Sequence, residues 1–213
     1  MSGRRVIVAA ALAIASLVAG CGGTEQNAGE PHAKFPVAVA SSFPAAQRLA
    51  EQTSFTVRVR NVGTRTIPNV AVTVLNPRYG SAAQAFGTLI PPNGPGQPIL
   101  ASRSRPVWII NQAPGPCRYS CRNRGPGAAA TAYSNTWALG RLAPGHTVAF
   151  RWKLTAVAAG PQTVVYEVAA GLNGFAKAVL RNGAPARGRF DVRISSVPPR
   201  STVQSDGQVT KKT

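Results

Sequence analysis

The chain has 213 residues, enough for one domain with tails, and its 24 Lys and Arg against 6 Asp and Glu give a net charge of +18. Only 14% of the residues are charged, while 21 Gly and 18 Pro are present, which is typical of a loop-rich all-β fold and not of a helical bundle. Acids are too scarce to favour paired-carboxylate chemistry, and no G-x-S-x-G, H-E-x-x-H or phosphate-loop motif occurs. The charge suits an anionic partner, although an ordinary solvated surface has the same composition.

Residues 1–20 have the features of a signal peptide. Arg4 and Arg5 precede an apolar run, residues 6–18, which is too short to span a bilayer comfortably. The run ends in Val-Ala-Gly-Cys, which resembles the lipobox of bacterial lipoproteins. The resemblance implies a lipid on Cys21 and a membrane-anchored protein on the extracytoplasmic face of the cell membrane. Both the general secretory and the twin-arginine export routes stay open.

The rest of the chain divides into a tether, a domain and a tail. Residues 21–34 are polar and without periodicity, which predicts a flexible tether. Residues 35–197 carry strand patterns, interrupted by two long insertions at 78–106 and 111–133. The Pro, Ser, Gln and Lys content of residues 198–213 predicts a disordered tail.

Alternating apolar residues predict the strands of the domain. Residues 35–40 form a first strand, and residues 55–59 and 70–74 are predicted to form a hairpin around Asn61 and Gly63. The phase of the first of these strands places Arg58 and Arg60 on its solvent face.

The second half of the domain carries the clearest alternation. Within residues 134–168, apolar side chains alternate with Ala149, Arg151 and Lys153, and Pro-Gly turns bound the strands. Residues 107–110, 175–180 and 188–194 are further predicted strands. Trp108, Trp137 and Trp152 lie among apolar residues, so core packing is favoured over a carbohydrate-stacking platform.

Two segments resemble a known family. VRVRNVGTRTIPNVAVTV and WALGRLAPGHTVAFRWKL are similar to bacterial cell-adhesion-related domains and their cell-surface repeat relatives. The resemblance implies an immunoglobulin-like antiparallel β-sandwich of seven strands with Greek-key connections, here with two loop insertions. It further implies an exported, surface-attached, non-catalytic module.

The second insertion contains Cys117 and Cys121, whose exported setting predicts a disulfide. So small a ring contributes at most about 2 kcal/mol in the chain-entropy model. A redox role lacks the C-x-x-C spacing and the βαβ context, and a zinc site lacks further ligands nearby. No metal or cofactor is predicted.

The same insertion is the candidate anion-binding loop, because it concentrates guanidinium groups beside an aromatic ring: Arg118, Tyr119, Arg122 and Arg124. Guanidinium binds phosphate or carboxylate in bidentate fashion. An anionic lipid, a cell-wall polymer or another envelope protein is the expected partner, whereas nucleic acid is not. A solvated loop without a ligand is the competing interpretation.

The sequence therefore predicts a lipid-anchored envelope protein that binds or scaffolds and is not an enzyme. The alternative is an accessory ligand-binding lipoprotein of an envelope assembly or transport machine, using the Cys117 and Cys121 loop. A hydrolase is a third hypothesis, which requires Glu167 and Asp191 to lie close together across a cleft. The oligomeric state stays open.

Overall fold

The computed structural model describes residues 29–75, 77, 85–87, 106–115, 131, 135–203 and 209–212. These residues form strands in the following order: β1 (Ala33–Ser42), β2 (Ala46–Arg48), β3 (Gln52–Asn61), β4 (Ala71–Leu75), β5 (Phe86–Gly87), β6 (Trp108–Gln112), β7 (Thr136–Ala138), β8 (Thr147–Ala156), β9 (Gly160–Ala169), β10 (Ala176–Val179), β11 (Arg187–Ser195), β12 (Arg200–Val203) and β13 (Val209–Lys212). No helix in this part of the chain has the length and apolar character needed to span a bilayer.

The strands form two large sheets that pack on each other, which confirms the predicted all-β sandwich. One sheet has six strands in the order β10-β1-β3-β8-β6-β5, and the other has five in the order β2-β11-β9-β4-β7. Both sheets are mixed, because β1–β10, β2–β11 and β5–β6 are parallel pairs. Four short strands, β2, β5, β7 and β10, lie at the sheet edges, which explains why the two sheets contain eleven strands and not the seven that the family resemblance implies.

The core is built from the inward positions of the long strands. Phe55 of β3 stacks on Trp152 of β8 with ring centroids 5.0 Å apart, and Trp137 meets Trp152 edge-on at 5.3 Å. Trp108 and Trp152 are fully buried and Trp137 is 6% exposed. The three tryptophans are therefore core residues, as predicted, and not a surface stacking platform.

The predicted hairpin of residues 55–59 and 70–74 is wrong, because β3 and β4 lie in different sheets. The nine residues between these strands cross from one sheet to the other. Ile67, within this crossing, exchanges backbone hydrogen bonds with Leu142 at 2.9 and 3.0 Å. Both strands bury alternate side chains, so a pattern of alternation fits a crossing as well as a hairpin.

Asn61 holds this crossing in place and is 1% exposed. Its side-chain nitrogen donates to the carbonyl oxygens of Arg65 and Leu142 at 2.8 and 2.9 Å, and its side-chain oxygen accepts from the Gly63 N–H at 3.0 Å. Its backbone also bonds His146 and Gly145. The two segments that carry the family resemblance thus meet at this asparagine.

The ends of the domain differ from the prediction. Glu30, within the predicted tether, makes hydrogen bonds to the domain, and β1 begins at Ala33 rather than at residue 35. Residues 198–213 are predicted to be disordered, yet β12 and β13 pair there as an antiparallel hairpin. Each of these two short segments contains two β-branched residues, and such residues favour strand pairing over the disorder that the composition of the tail suggests.

Candidate functional site

The site residues predicted from sequence lie outside the described residues. These are the lipidation site Cys21, the cysteine pair Cys117 and Cys121, and the anion-binding candidates Arg118, Tyr119, Arg122 and Arg124. The disulfide, the lipid and the anion-binding loop therefore stay predictions.

The described surface has another concentration of cations, on the outer face of the six-stranded sheet. Strands β3 and β8 are antiparallel and in direct register, and four of the five outward levels of the pair carry one exposed cation each. The levels are, in order, Arg60 opposite Thr147, Arg58 opposite Ala149, Arg151 opposite Thr56 and Lys153 opposite Ser54. We call these four side chains the cation ladder.

The flanks of the cation ladder are small or hydroxyl-bearing. Ala38 and Ala40 of β1 lie opposite Arg60 and Arg58, and Ser42 lies opposite Thr56. A concavity of about 630 Å³ opens here and is lined by Ala40, Ser41, Ser42, Ser54, Thr56, Arg58, Gln112, Arg151, Trp152 and Lys153. Small neighbours leave space beside the long basic side chains, so a ligand has room to lie along the strands.

No Asp or Glu occurs in any strand of this six-stranded sheet. Two further cations, Lys34 of β1 and Lys177 of β10, are exposed and lie opposite each other in register. The strands of this sheet therefore present cations and no carboxylate on the outer face, an arrangement that attracts anions and concentrates them near the protein.

The five-stranded sheet differs, since its outer face carries acids beside its bases. Arg189 and Asp191 form an ion pair at 2.8 Å, and the Thr163 hydroxyl donates to Asp191 at 2.7 Å. The hydrogen bond from Arg189, together with that from Thr163, holds the pKa of Asp191 below its ordinary value of 3.8. Asp191 in turn raises the pKa of Arg189.

Glu167 and Asp191 do not form the carboxylate pair that a glycosidase requires. Asp191 lies opposite Thr163, and Glu167 stands four residues further along β9. At about 3.4 Å per residue this separates the two by roughly 14 Å along one sheet face. Catalytic pairs lie about 5–9.5 Å apart across a cleft. The hydrolase hypothesis thus loses the two residues on which it depended.

A third acid, Glu30, has a structural role that sequence reasoning missed. Its carboxylate accepts hydrogen bonds from the backbone N–H groups of Asn173, Phe175 and Ala176 at 2.7, 2.8 and 2.7 Å. A Cβ at Gly171 would overlap the carboxylate, so the loop approaches this closely only with glycine there. The His32 ring packs on Phe175 with centroids 4.1 Å apart.

The environment of Glu30 stabilises its charged form. Burial raises the pKa of Glu30, but hydrogen bonds from the backbone of Ala176, Asn173, Phe175 and Leu172 outweigh burial and hold the pKa below its ordinary value of 4.5. The carboxylate therefore latches the start of the domain to the loop before β10. We call this contact the Glu30 latch.

The described residues contain no group of three or more His, Cys, Asp or Glu placed to hold a metal ion. His146 is exposed in the turn before β8, and the His32 ring packs on Phe175 beside the Glu30 latch.

No protein-family model and no curated protein matches the chain. Solved structures with a similar course include the CARDB domain of the PF1109 protein from Pyrococcus furiosus, in a crystal structure in complex with di-metal ions. The identity is 15%, the TM-score is 0.41, and the match covers 76% of this chain and 96% of that domain.

A solution NMR structure of the same CARDB domain matches with 13% identity and a TM-score of 0.42, over 76% of this chain and 98% of that one. The native conformation of E. coli alpha-2-macroglobulin matches with 10% identity and a TM-score of 0.39, over 78% of this chain and 7% of the much longer one. CARDB domains belong to the cell-adhesion-related family that the two sequence segments resemble.

Proposed function

We propose that this chain is a lipid-anchored protein of the extracytoplasmic cell envelope whose β-sandwich binds an anionic partner without catalysing a reaction. The observation that carries the binding role is the cation ladder, on a sheet whose strands contain no acid. The lipobox at residues 18–21 supports the anchor. Two acyl chains hold a protein on a membrane firmly, because each buried methylene contributes about 0.8 kcal/mol.

The Glu30 latch supports a position of the domain close to the membrane. Glu30 follows Cys21 by nine positions, and an extended chain spans at most about 3.6 Å per residue. The domain would then begin within roughly 30 Å of the acylated residue. Partners at that height are lipid headgroups, envelope polymers and neighbouring envelope proteins.

Fractionation of cells tests the anchor. The wild-type chain should sediment with membranes, and mass spectrometry of its first peptide should find an acylated Cys21. Cys21→Ala should move the protein to the soluble extracytoplasmic fraction or leave it as an unprocessed precursor. The matched control is the Cys117→Ala/Cys121→Ala double variant, which should stay in the membrane fraction. An unacylated, uncleaved wild-type chain in the cytosol would end the proposal.

The second candidate is an accessory ligand-binding lipoprotein that uses the loop containing Arg118, Arg122 and Arg124. One observation favours it. Gln112, the last residue of β6, lines the concavity, and the second insertion begins at this end of the strand. Retention on wall polymers and on anionic liposomes should be compared for the Arg118→Ala/Arg122→Ala/Arg124→Ala variant and the wild type. Loss of salt-sensitive retention supports the loop, and unchanged retention removes it.

A further inference from the structure

We propose that the cation ladder binds an extended phosphodiester polymer that lies along β3 and β8, with one phosphate at each level. The inference gives the proposed binding role a ligand class and rests on that role, but it does not depend on the lipid anchor. Four features of the sheet face support it: the spacing of the cations, their chemistry, the shape of the surface and the side chains that surround them.

The spacing comes from the register. Successive outward levels of a strand pair are two residues apart, so the cation ladder has a step of about 6.8 Å and spans about 20 Å over three steps. A peptide has three backbone bonds per residue and extends 3.3–3.6 Å per residue. At the same extension per bond, a polymer with six backbone bonds per repeat extends about 7 Å per repeat. Phosphates joined through a three-carbon unit have such a repeat.

The chemistry of the ladder suits phosphate. Arg58, Arg60 and Arg151 present planar guanidinium groups, which bind phosphate oxygens in bidentate fashion, and Lys153 adds a point charge. Hydroxyl groups of Ser42, Ser54 and Thr56 line the same concavity as possible donors to phosphate oxygens. With no acid in the strands of this sheet, a bound polyanion meets no carboxylate there.

The shape and the aromatic content of the face favour a thin chain over a membrane or a nucleic acid. A concavity of about 630 Å³ accommodates a polymer strand. A bilayer surface is too broad to enter it and would contact only the side chains at its edge. Proteins that bind single-stranded nucleic acid stack bases on exposed aromatic rings. In the strands of this sheet the aromatic side chains are all buried in the core, namely Phe35, Phe55, Phe86, Trp108, Phe150 and Trp152.

Binding of glycerol phosphate oligomers of one to eight units to the purified full-length chain tests the inference. Affinity should rise steeply up to about four units and level off beyond, and inorganic phosphate should compete poorly. With a slope of about −0.7 per contact, as for single-stranded nucleic acid, four contacts predict a roughly 50-fold loss of affinity between 50 and 200 mM salt. The Arg58→Gln/Arg151→Gln variant should show only about a 7-fold loss over that range.

The matched control is Arg48→Gln/Arg193→Gln on the outer face of the other sheet. Arg193 lies opposite Ala46, and Arg48 lies opposite Ser195, so these cations are also one level apart on neighbouring strands. This control should bind like the wild type. Equal loss in both double variants would show that net charge alone drives binding and would overturn the inference.

Three other results would also overturn it: affinity independent of oligomer length, tighter binding of single-stranded DNA than of the glycerol phosphate octamer, or ladder-dependent binding to anionic vesicles but not to the oligomers. The last two would assign the face to nucleic acid or to a membrane. None of these outcomes affects the fractionation result for Cys21, so failure of this inference is distinguishable from failure of the anchor.

Discussion

Replacing Glu30 by glutamine tests whether the Glu30 latch stabilises the domain. The two carboxylate oxygens accept hydrogen bonds from several backbone N–H groups, among them those of Asn173, Phe175 and Ala176. Glutamine keeps one oxygen and turns an amide nitrogen toward a donor, so at least one hydrogen bond and the negative charge are lost. Hydrogen bonds to charged groups are worth about 1.5–3 kcal/mol when buried, and exposed charge pairs about 0.2–1 kcal/mol.

The Glu30 site is partly exposed, so we expect a loss of about 1 kcal/mol in the free energy of unfolding for Glu30→Gln, between those limits. This corresponds to a decrease of about 2–4 °C in Tm for a domain of this size. Because the folded-state pKa of Glu30 lies below 4.5, its stabilisation is complete above that pH. It is lost as the pH falls through the lowered pKa, so the difference between variant and wild type should close in acid.

Chemical unfolding followed by tryptophan fluorescence measures the effect, since all three tryptophans are buried. Glu167→Gln is the control, because it removes the same charge from an exposed strand position. Amide hydrogen exchange at Asn173, Phe175 and Ala176 tests the latch locally. If Glu30→Gln unfolds like Glu167→Gln at neutral pH and these amides keep their protection, the latch adds nothing to stability and the reasoning is wrong.

Three further substitutions test buried hydrogen bonds, each by the change in the free energy of unfolding. Asn61→Ala removes three side-chain hydrogen bonds and should cost about 3 kcal/mol, with an effect below 1 kcal/mol counting against its role in the crossing. Gln47→Ala leaves the buried Trp108 indole N–H without its 2.8 Å acceptor and should cost about 2 kcal/mol, whereas Gln47→Glu, which keeps an acceptor, reports the separate cost of a buried charge. Tyr166→Phe removes the 2.9 Å hydrogen bond to Ser41 and should cost about 1 kcal/mol, and Ser41→Ala in that background should add little if the bond is what matters.

Local patterns predicted the fold class and many of the strands. The alternation in β8 placed Trp152 in the core and Arg151 outside, as the structure has them. Alternation records only which side of a strand is apolar. It does not say which strand lies beside it, and for that reason the crossing after β3 was interpreted as a hairpin.

The Glu30 latch escaped prediction for a related reason. A glycine-containing polar segment has the composition of a tether, and its order depends on a loop more than 140 residues further along the chain. In the sequence, the glycine at position 171 is a sign of the close approach of Glu30. Glycine occurs in loops for many other reasons, so it does not predict this contact. Composition alone therefore does not reveal that a carboxylate within the segment accepts hydrogen bonds from so distant a loop.

The cation ladder combines a predictable part with an unpredictable one. Alternation assigns Arg58, Arg60, Arg151 and Lys153 to solvent, but the even spacing exists only in the observed register. Sliding β8 by two residues would place Arg151 directly opposite Arg58, and like charges opposite each other destabilise a sheet.

The observed register avoids this repulsion and at the same time sets Phe55 opposite Trp152, where their rings stack in the core. Packing inside the sandwich and repulsion outside it therefore favour the same pairing of β3 and β8. A staggered row of cations follows from that pairing without a separate structural cost, so a change of ligand specificity at this face requires only substitutions at exposed positions. We therefore expect variants of the cation ladder, such as Arg58→Gln/Arg151→Gln, to keep the free energy of unfolding of the wild type while they bind the phosphodiester polymer more weakly.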